Sequence, residues 1–185
     1  RGGLNFPSVT TLNGSTSYLN FQGCGGLTYA PTFPVLTSLG GTLSFQSCTG
    51  LTDAPSFPVL TSFVAGTINF QGCTGLNGTV IFSALQTLSG SINFSNCTNL
   101  AGVRLNNCAV STANWSRFNF SNTGITTADL SGSTLSDTLD MRSLRNLTTI
   151  IWTGCTGNLA CTLYTNRNGQ VAFDPDTGYS VNYSN

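Results

Sequence analysis

Nine residues of this chain, LSFQSCTGL at 43–51, recur in three close copies: LNFQGCGGL at 19–27, INFQGCTGL at 68–76 and INFSNCTNL at 92–100. Their cysteines, Cys24, Cys48, Cys73 and Cys97, stand 24, 25 and 24 residues apart. A fixed period of this length is the signature of a solenoid. Each repeat is one coil, unable to bury its apolar face alone and therefore stacked on the coil before it.

Within the unit, apolar and polar residues alternate. In the third copy Ile68 and Phe70 are apolar, while Thr67, Asn69 and Gln71 are polar. Alternation puts the first pair on one face of a strand and the polar three on the other. The cysteine follows three residues after the phenylalanine, where the chain is expected to turn inward, and Leu76 returns to the interior. A second shared segment lies upstream: FPSVTTL at 6–12, FPVLTSL at 33–39, FPVLTSF at 57–63 and FSALQTL at 82–88. Proline there suits a turn or extended corner and excludes a helix interior. Each coil thus reads as a strand, an inward turn at Cys, a Pro-marked return and a second extended segment. Leu19 and Phe21, Leu43 and Phe45, Ile68 and Phe70, and Ile92 and Phe94 are expected to stack as columns. The coil rise equals the spacing of paired strands, about 4.8 Å.

This pattern resembles the leucine-rich repeat family, in its cysteine-bearing and receptor-L-like variants. The nearest match to the short consensus is Leu147, Ile150, Trp152 and Cys155 in LTTIIWTGC. The resemblance covers residues 6–155 and implies a mainly β, leucine-rich-repeat-like solenoid of about six to seven coils. The first four repeats depart from the family by inserting residues such as VAG at 64–66, and by lacking helix formers on the convex side. A right-handed parallel β-helix with the same rung spacing satisfies the same repeats.

At 185 residues the chain is long enough for one continuous core. Residues 1–155 form the expected solenoid, with regular coils at 6–100 and irregular ones at 101–155, and 156–185 form a C-terminal cap. Charged residues make up only 6% of the chain, six Arg and six Asp, with no Lys, Glu or His. Loss of Lys and Glu removes good helix formers, and the Thr, Val, Ile and Phe content favours strands. Zero net charge without a basic cluster argues against nucleic acid, which needs cations to neutralise phosphate. No apolar run reaches the length of a membrane span, about 18 residues. A neutral, hydroxyl- and amide-rich surface fits an extracellular setting better than cytoplasm.

Residues 1–5 offer no amphipathic capping element, so the first coil is expected to be covered by another protomer or by a cap outside the sequence. Beyond 100, VRLNNCAV at 103–110 and FNFSNTGI at 118–125 repeat the unit, with Thr123 in the Cys position. SDTLDMRSLRNL at 136–147 is the best helix candidate, with Ser136 as cap, Asp137 in the first turn and Arg145 in the last. VAF at 171–173 and YSVNY at 179–183 alternate around DPDTG at 174–178, which predicts a β-hairpin.

Seven cysteines without a C-x-x-C pair or a His do not make a zinc site. Equivalent thiols in stacked coils lie farther apart than the Cβ separation a disulfide needs, about 3.8 Å, so Cys24, Cys48, Cys73 and Cys97 are expected as buried free thiols. Cys155 and Cys161 are the disulfide candidates. Asp174 and Asp176 are the only close acidic pair flanked by Gly. They form a weak calcium candidate and otherwise a turn. Without His, Glu or Lys, the usual bases for a Ser or Cys nucleophile are missing, and no enzyme and no cofactor are expected. The outward strand face is the binding candidate: Thr42, Ser44 and Gln46; Thr67, Asn69 and Gln71; Ser91, Asn93 and Ser95. Such ladders suit a glycan, a polar polymer or an ice lattice, and they also stabilise stacked strands by bonding to one another. The leading functional expectation is an extracellular, non-enzymatic solenoid that associates end to end into a filament or surface layer. The second is an adhesin or ligand-binding module using the polar strand face.

Overall fold

The computed structural model describes residues 4–14, 16–110, 115–135, 139–157, 162–165, 172–174 and 180–183. Among them every strand pairing is parallel and joins one coil to the next. The first two coils contribute β1 (Thr11–Leu12), β2 (Tyr18–Asn20), β3 (Ser38–Leu39) and β4 (Thr42–Ser44). The third and fourth carry β5 (Ser56–Phe57), β6 (Ser62–Phe63), β7 (Thr67–Asn69), β8 (Gly78–Phe82), β9 (Thr87–Leu88) and β10 (Ser91–Asn93). Next come β11 (Leu100–Leu105), β12 (Ala109–Val110), β13 (Phe118–Asn119), β14 (Thr127–Asp129), β15 (Thr134–Leu135) and β16 (Leu139–Asp140). The last are β17 (Thr149–Ile151), β18 (Thr156–Gly157), β19 (Thr162–Thr165), β20 (Ala172–Asp174) and β21 (Ser180–Tyr183).

These strands build three faces, visited in the same order by each coil. Face I is one six-stranded sheet running β5-β8-β11-β14-β17-β20, preceded by a single bridge between Asn5 and Thr32. Face II consists of β1-β3-β6-β9 and then β12-β15-β18. Face III consists of β2-β4-β7-β10-β13 and then β16-β19-β21. The molecule is a mainly β solenoid of parallel strands. Strands of two or three residues suffice because each is held on both sides by its copies.

The apolar residues fall into files along the axis, as the repeats require. Phe21, Phe45, Phe70, Phe94 and Phe120 stack with ring centroids 5.1, 4.9, 5.2 and 6.0 Å apart. A second file runs through Phe6, Phe33, Phe57 and Phe82 at 4.9, 6.0 and 5.1 Å. Both belong to one continuous core reaching to Trp152. Register makes this possible: Leu43 pairs with Ile68 and Ile68 with Ile92, so like residues meet like at every step.

Two expectations are corrected. Residues 139–147 are not helical; residues 136–138 of that candidate lie outside the described ones. LDMRSLRNL is instead a disguised copy of INFQGCTGL, with Leu139, Met141, Leu144 and Leu147 all buried. Leu144 N donates to Met141 O at 2.9 Å and Leu147 N to Leu144 O at 3.1 Å. The same two bonds run from Cys73 to Phe70 and from Leu76 to Cys73, each 3.1 Å. The C-terminal segments are not a hairpin either. β20 pairs with β17 on face I and β21 with β19 on face III, both parallel, so they extend the stack instead of folding on each other. Both segments are strands, as expected, but a neighbouring coil offers each a parallel partner in register.

Candidate binding faces and the turns that hold them

The corner between faces III and I is built the same way in successive coils. The residue before the cysteine position has positive φ: Gly23 (73°), Ser47 (58°), Gly72 (73°), Asn96 (62°) and Asn122 (55°). The next amide then bonds back three residues, as from Cys48 N to Phe45 O at 3.1 Å, which is the pattern of a type II turn. A left-handed residue is cheap for Gly and tolerated by Asn, which explains the G/N preference just before Cys.

The thiol completes the corner. Cys48 Sγ donates to Phe21 O at 2.9 Å, Cys73 Sγ to Phe45 O at 2.9 Å and Cys97 Sγ to Phe70 O at 3.0 Å. Each thiol therefore ties its coil to the carbonyl of the coil before. At the fifth coil Thr123 Oγ1 donates to Phe120 O at 2.8 Å. From there the device moves to the corner between faces I and II. Asn107, Gly132 and Gly154 supply the positive φ, and Cys108, Ser133 and Cys155 donate to Phe82 O, Leu105 O and Leu130 O. Ser133 makes the same coil-to-coil bond with a hydroxyl, whereas Thr123 bonds within its own coil and Leu144 fills the position with an apolar side chain. Burial raises the Cys73 and Cys97 thiols to about 12 and Cys108 to about 11. It also pushes Cys48 and Cys155 upward. These are inert structural thiols, not nucleophiles.

Cys24 departs from expectation in being exposed. The Cys155 thiol donates to Leu130 O at 3.1 Å; Cys161, the other half of the candidate bridge, lies outside the described residues. Asp174 lies on β20, and Asp176 is likewise outside. Among the described residues no three potential metal ligands cluster. No helix among them is long and apolar enough to cross a membrane.

The residues expected on the polar strand face do share face III. Thr42, Thr67 and Ser91 form one row, and Ser44, Asn69 and Asn93 the next. Gln46, Gln71 and Ser95 lie just beyond the strands. Their accessibility differs sharply. Ser44 and Ser95 are only 3% and 6% exposed, being short side chains set between longer ones, whereas Tyr18 at the end of the first row is 55% exposed. The amides are also partly consumed by the fold. Asn69 Oδ1 accepts the Gln71 amide and Asn93 Oδ1 the Ser95 amide, both at 3.0 Å, so each caps its turn. Asn69 Nδ2 reaches Gln46 Oε1, and Gln46 Nε2 reaches Gln71 Oε1, at 3.5 Å each. Asn69, Gln46 and Gln71 thus form an amide relay of long hydrogen bonds.

Face II carries a second array that sequence reasoning did not single out. Thr10, Thr37, Thr61 and Gln86 form one exposed file. Thr11, Ser38, Ser62 and Thr87 form the neighbouring one, paired in register. The signal was present in the second shared segment, where VTTL, LTSL and LTSF place two hydroxyls between two core residues. Charge is confined elsewhere: Arg104 Nε meets Asp129 Oδ2 at 2.9 Å on face I. Burial pushes the Asp129 carboxyl upward, but hydrogen bonds from Ser131 and the Arg104 charge outweigh it and hold it below its ordinary value.

In comparison with known proteins, no family model, no curated protein and no solved structure matches the chain. What its fold defines is a class, the parallel β-solenoid, here with laddered and sparsely charged faces.

Proposed function

We propose that this chain is a non-enzymatic, extracellular binding module that holds a neutral, hydroxyl-rich polymer such as a glycan against face III. The observation that carries this reading is the amide relay from Asn69 through Gln46 to Gln71, in the same sheet as the exposed Tyr18 ring. Amides offer a donor and an acceptor side by side, which matches vicinal hydroxyls, and an aromatic ring gives a sugar face a platform. Because the relay is already ordered, binding would immobilise few side chains. The test is retention on a panel of insoluble polysaccharides. Tyr18→Ala and Gln71→Ala should each weaken retention about tenfold, the equivalent of one lost stacking or hydrogen-bond contact. A chain that no polysaccharide retains, or variants retained as well as the parent, would reject the reading.

A second reading, end-to-end association into a filament, draws on the first coil. There Phe6, Leu12, Leu19 and Phe21 are half-buried, while Phe33, Leu39, Leu43 and Phe45 one coil on are buried. A second copy stacked on that coil would continue both phenylalanine files. Light scattering that stays monodisperse over a wide concentration range would remove this reading.

A further inference from the structure

We propose that face II is an ice-binding surface, with the two hydroxyl files at its centre as the contact. Thr10, Thr11, Thr37, Thr61 and Thr87 are exposed, with Ser38 and Ser62 half-buried between them, in a sheet whose register does not slip over four strands. Beyond the third coil the first file is interrupted by Gln86 and Ala109, and hydroxyls return at Thr134 and Thr156, which pair in register with their oxygens 3.3 Å apart. The array is periodic in two directions, by the strand spacing of about 4.8 Å along the axis and by the residue rise across it. That makes it a lattice of hydroxyl and methyl groups and not an irregular polar patch.

The array is also rigid. Thr37 Oγ1 donates to Thr10 O and Thr61 Oγ1 to Thr37 O, both at 3.1 Å, and each of these carbonyls also accepts the backbone amide of the next coil. These two hydroxyls are therefore fastened to the backbone of the preceding coil. Water on such a surface meets partners fixed at the strand spacing, about 4.8 Å, so little order has to be imposed on binding. What the face omits is equally telling. Its strands contain no Asp or Arg, and their one aromatic residue, Phe63, is buried. A protein or glycan partner would lack the aromatic or charged anchors that carry most binding energy. Those anchors lie on face III, at Tyr18, and face I, at Arg104 and Asp129. A crystal of water needs none of them.

The inference stands apart from the glycan reading, which concerns another face. The experiment grows ice slowly from a solution of the whole chain and measures partition between ice and liquid, with single-crystal shaping followed by microscopy. The parent chain should enter the ice and facet the crystals. Ser62→Tyr, which raises a ring above the plane at a strand position that tolerates aromatics, should lose both effects. Thr74→Tyr, at an exposed corner away from face II, should retain them. Circular dichroism establishes folding of each variant. If Ser62→Tyr does not fold, Thr87→Tyr, at an already exposed site in the same file, takes its place. Exclusion of the parent chain from ice overturns the proposal, and so does full uptake of a folded face II variant.

Discussion

At the scale of single residues, the cysteines are the least ordinary feature, and their role was only half visible beforehand. Their spacing marked the coils, but the bond each makes reaches the phenylalanine of the preceding coil, a partner 27 or 28 residues away that only stacking creates. The exposure of Cys24 was likewise out of reach, since a repeat motif carries no mark of where its neighbour lies. Because Ser133 makes the equivalent coil-to-coil bond at the corner between faces I and II, Cys97→Ser should keep the tie to Phe70 O and cost little. Cys97→Ala removes both donor and sulfur and should cost about 1–3 kcal/mol in urea unfolding. Equal costs would mean that packing alone selects the residue. The same thiols set a pH limit. Their folded-state values, about 12 for Cys73 and Cys97, lie above that of an unfolded thiol, about 8.5. A raised acid contributes stability that is complete below the unfolded value and is lost as pH rises toward the folded one. Stability should thus fall between about pH 8.5 and 12, by up to about 1.4 kcal/mol per pH unit for each thiol. Urea midpoints measured across that range check it, and Cys97→Ser should flatten the slope.

At the scale of elements, what the repeats conveyed was the strand, and what they concealed was how coils accommodate unequal residues. SDTLDMRSLRNL read as a helix because it lacks Phe and Cys and carries helix-compatible Leu, Met and Arg. Buried positions at Leu139, Met141, Leu144 and Leu147 satisfy the coil with different apolar groups, and tertiary context overrode propensity. The corner between faces II and III holds a coupling of the same kind. Phe63 occupies the core position of Leu39 and Leu88, and a Cβ on Gly90 would come within 2.5 Å of its ring. The larger ring in one coil thus requires glycine in the next. Gly90→Ala should destabilise by about 1–3 kcal/mol through overpacking, and Phe63→Leu by a similar amount through the void it leaves. The double variant should cost less than the sum, because Leu makes room for the methyl. Strict additivity in a thermal double-mutant cycle would refute the coupling. Gly66 is stricter, with φ of 84° and a would-be Cβ 2.1 Å from Gly41 O, a clash with backbone that no side-chain change relieves. Gly66→Ala should therefore cost more than Gly23→Ala, whose position has φ of 73° but open space around it.

At the scale of the whole molecule, periodicity was the one property the sequence stated outright, and it determined the architecture: parallel strands, one axis, shared core files. The three-faced course of each coil was less accessible, because the face II strands and the first strand of face I, β5, are only two residues long, too short to show alternation. The surface followed from that missing division. The Asn and Gln rows are legible beside the cysteines of the repeat, while the hydroxyl files of face II depend on the pairing of Thr11, Ser38, Ser62 and Thr87 in register. If coils are interchangeable units, removing one whole unit should leave the stack intact. Excision of residues 52–76 joins Leu51 to Asn77 and brings Phe45 over Phe94, Phe33 over Phe82 and β4 against β10. Nearest-neighbour contacts are then replaced in kind, as a one-dimensional array requires. The shortened chain should keep its circular dichroism per residue and show a urea m-value reduced in proportion to the surface of one coil. Excision of 52–70 removes less chain but leaves residues 71–76, with Cys73 and Leu76, at a corner that has no coil beneath them, and should lower the urea midpoint well below that of the whole-coil deletion. Similar stability for the two deletions would mean that the coils are not in register through a common core.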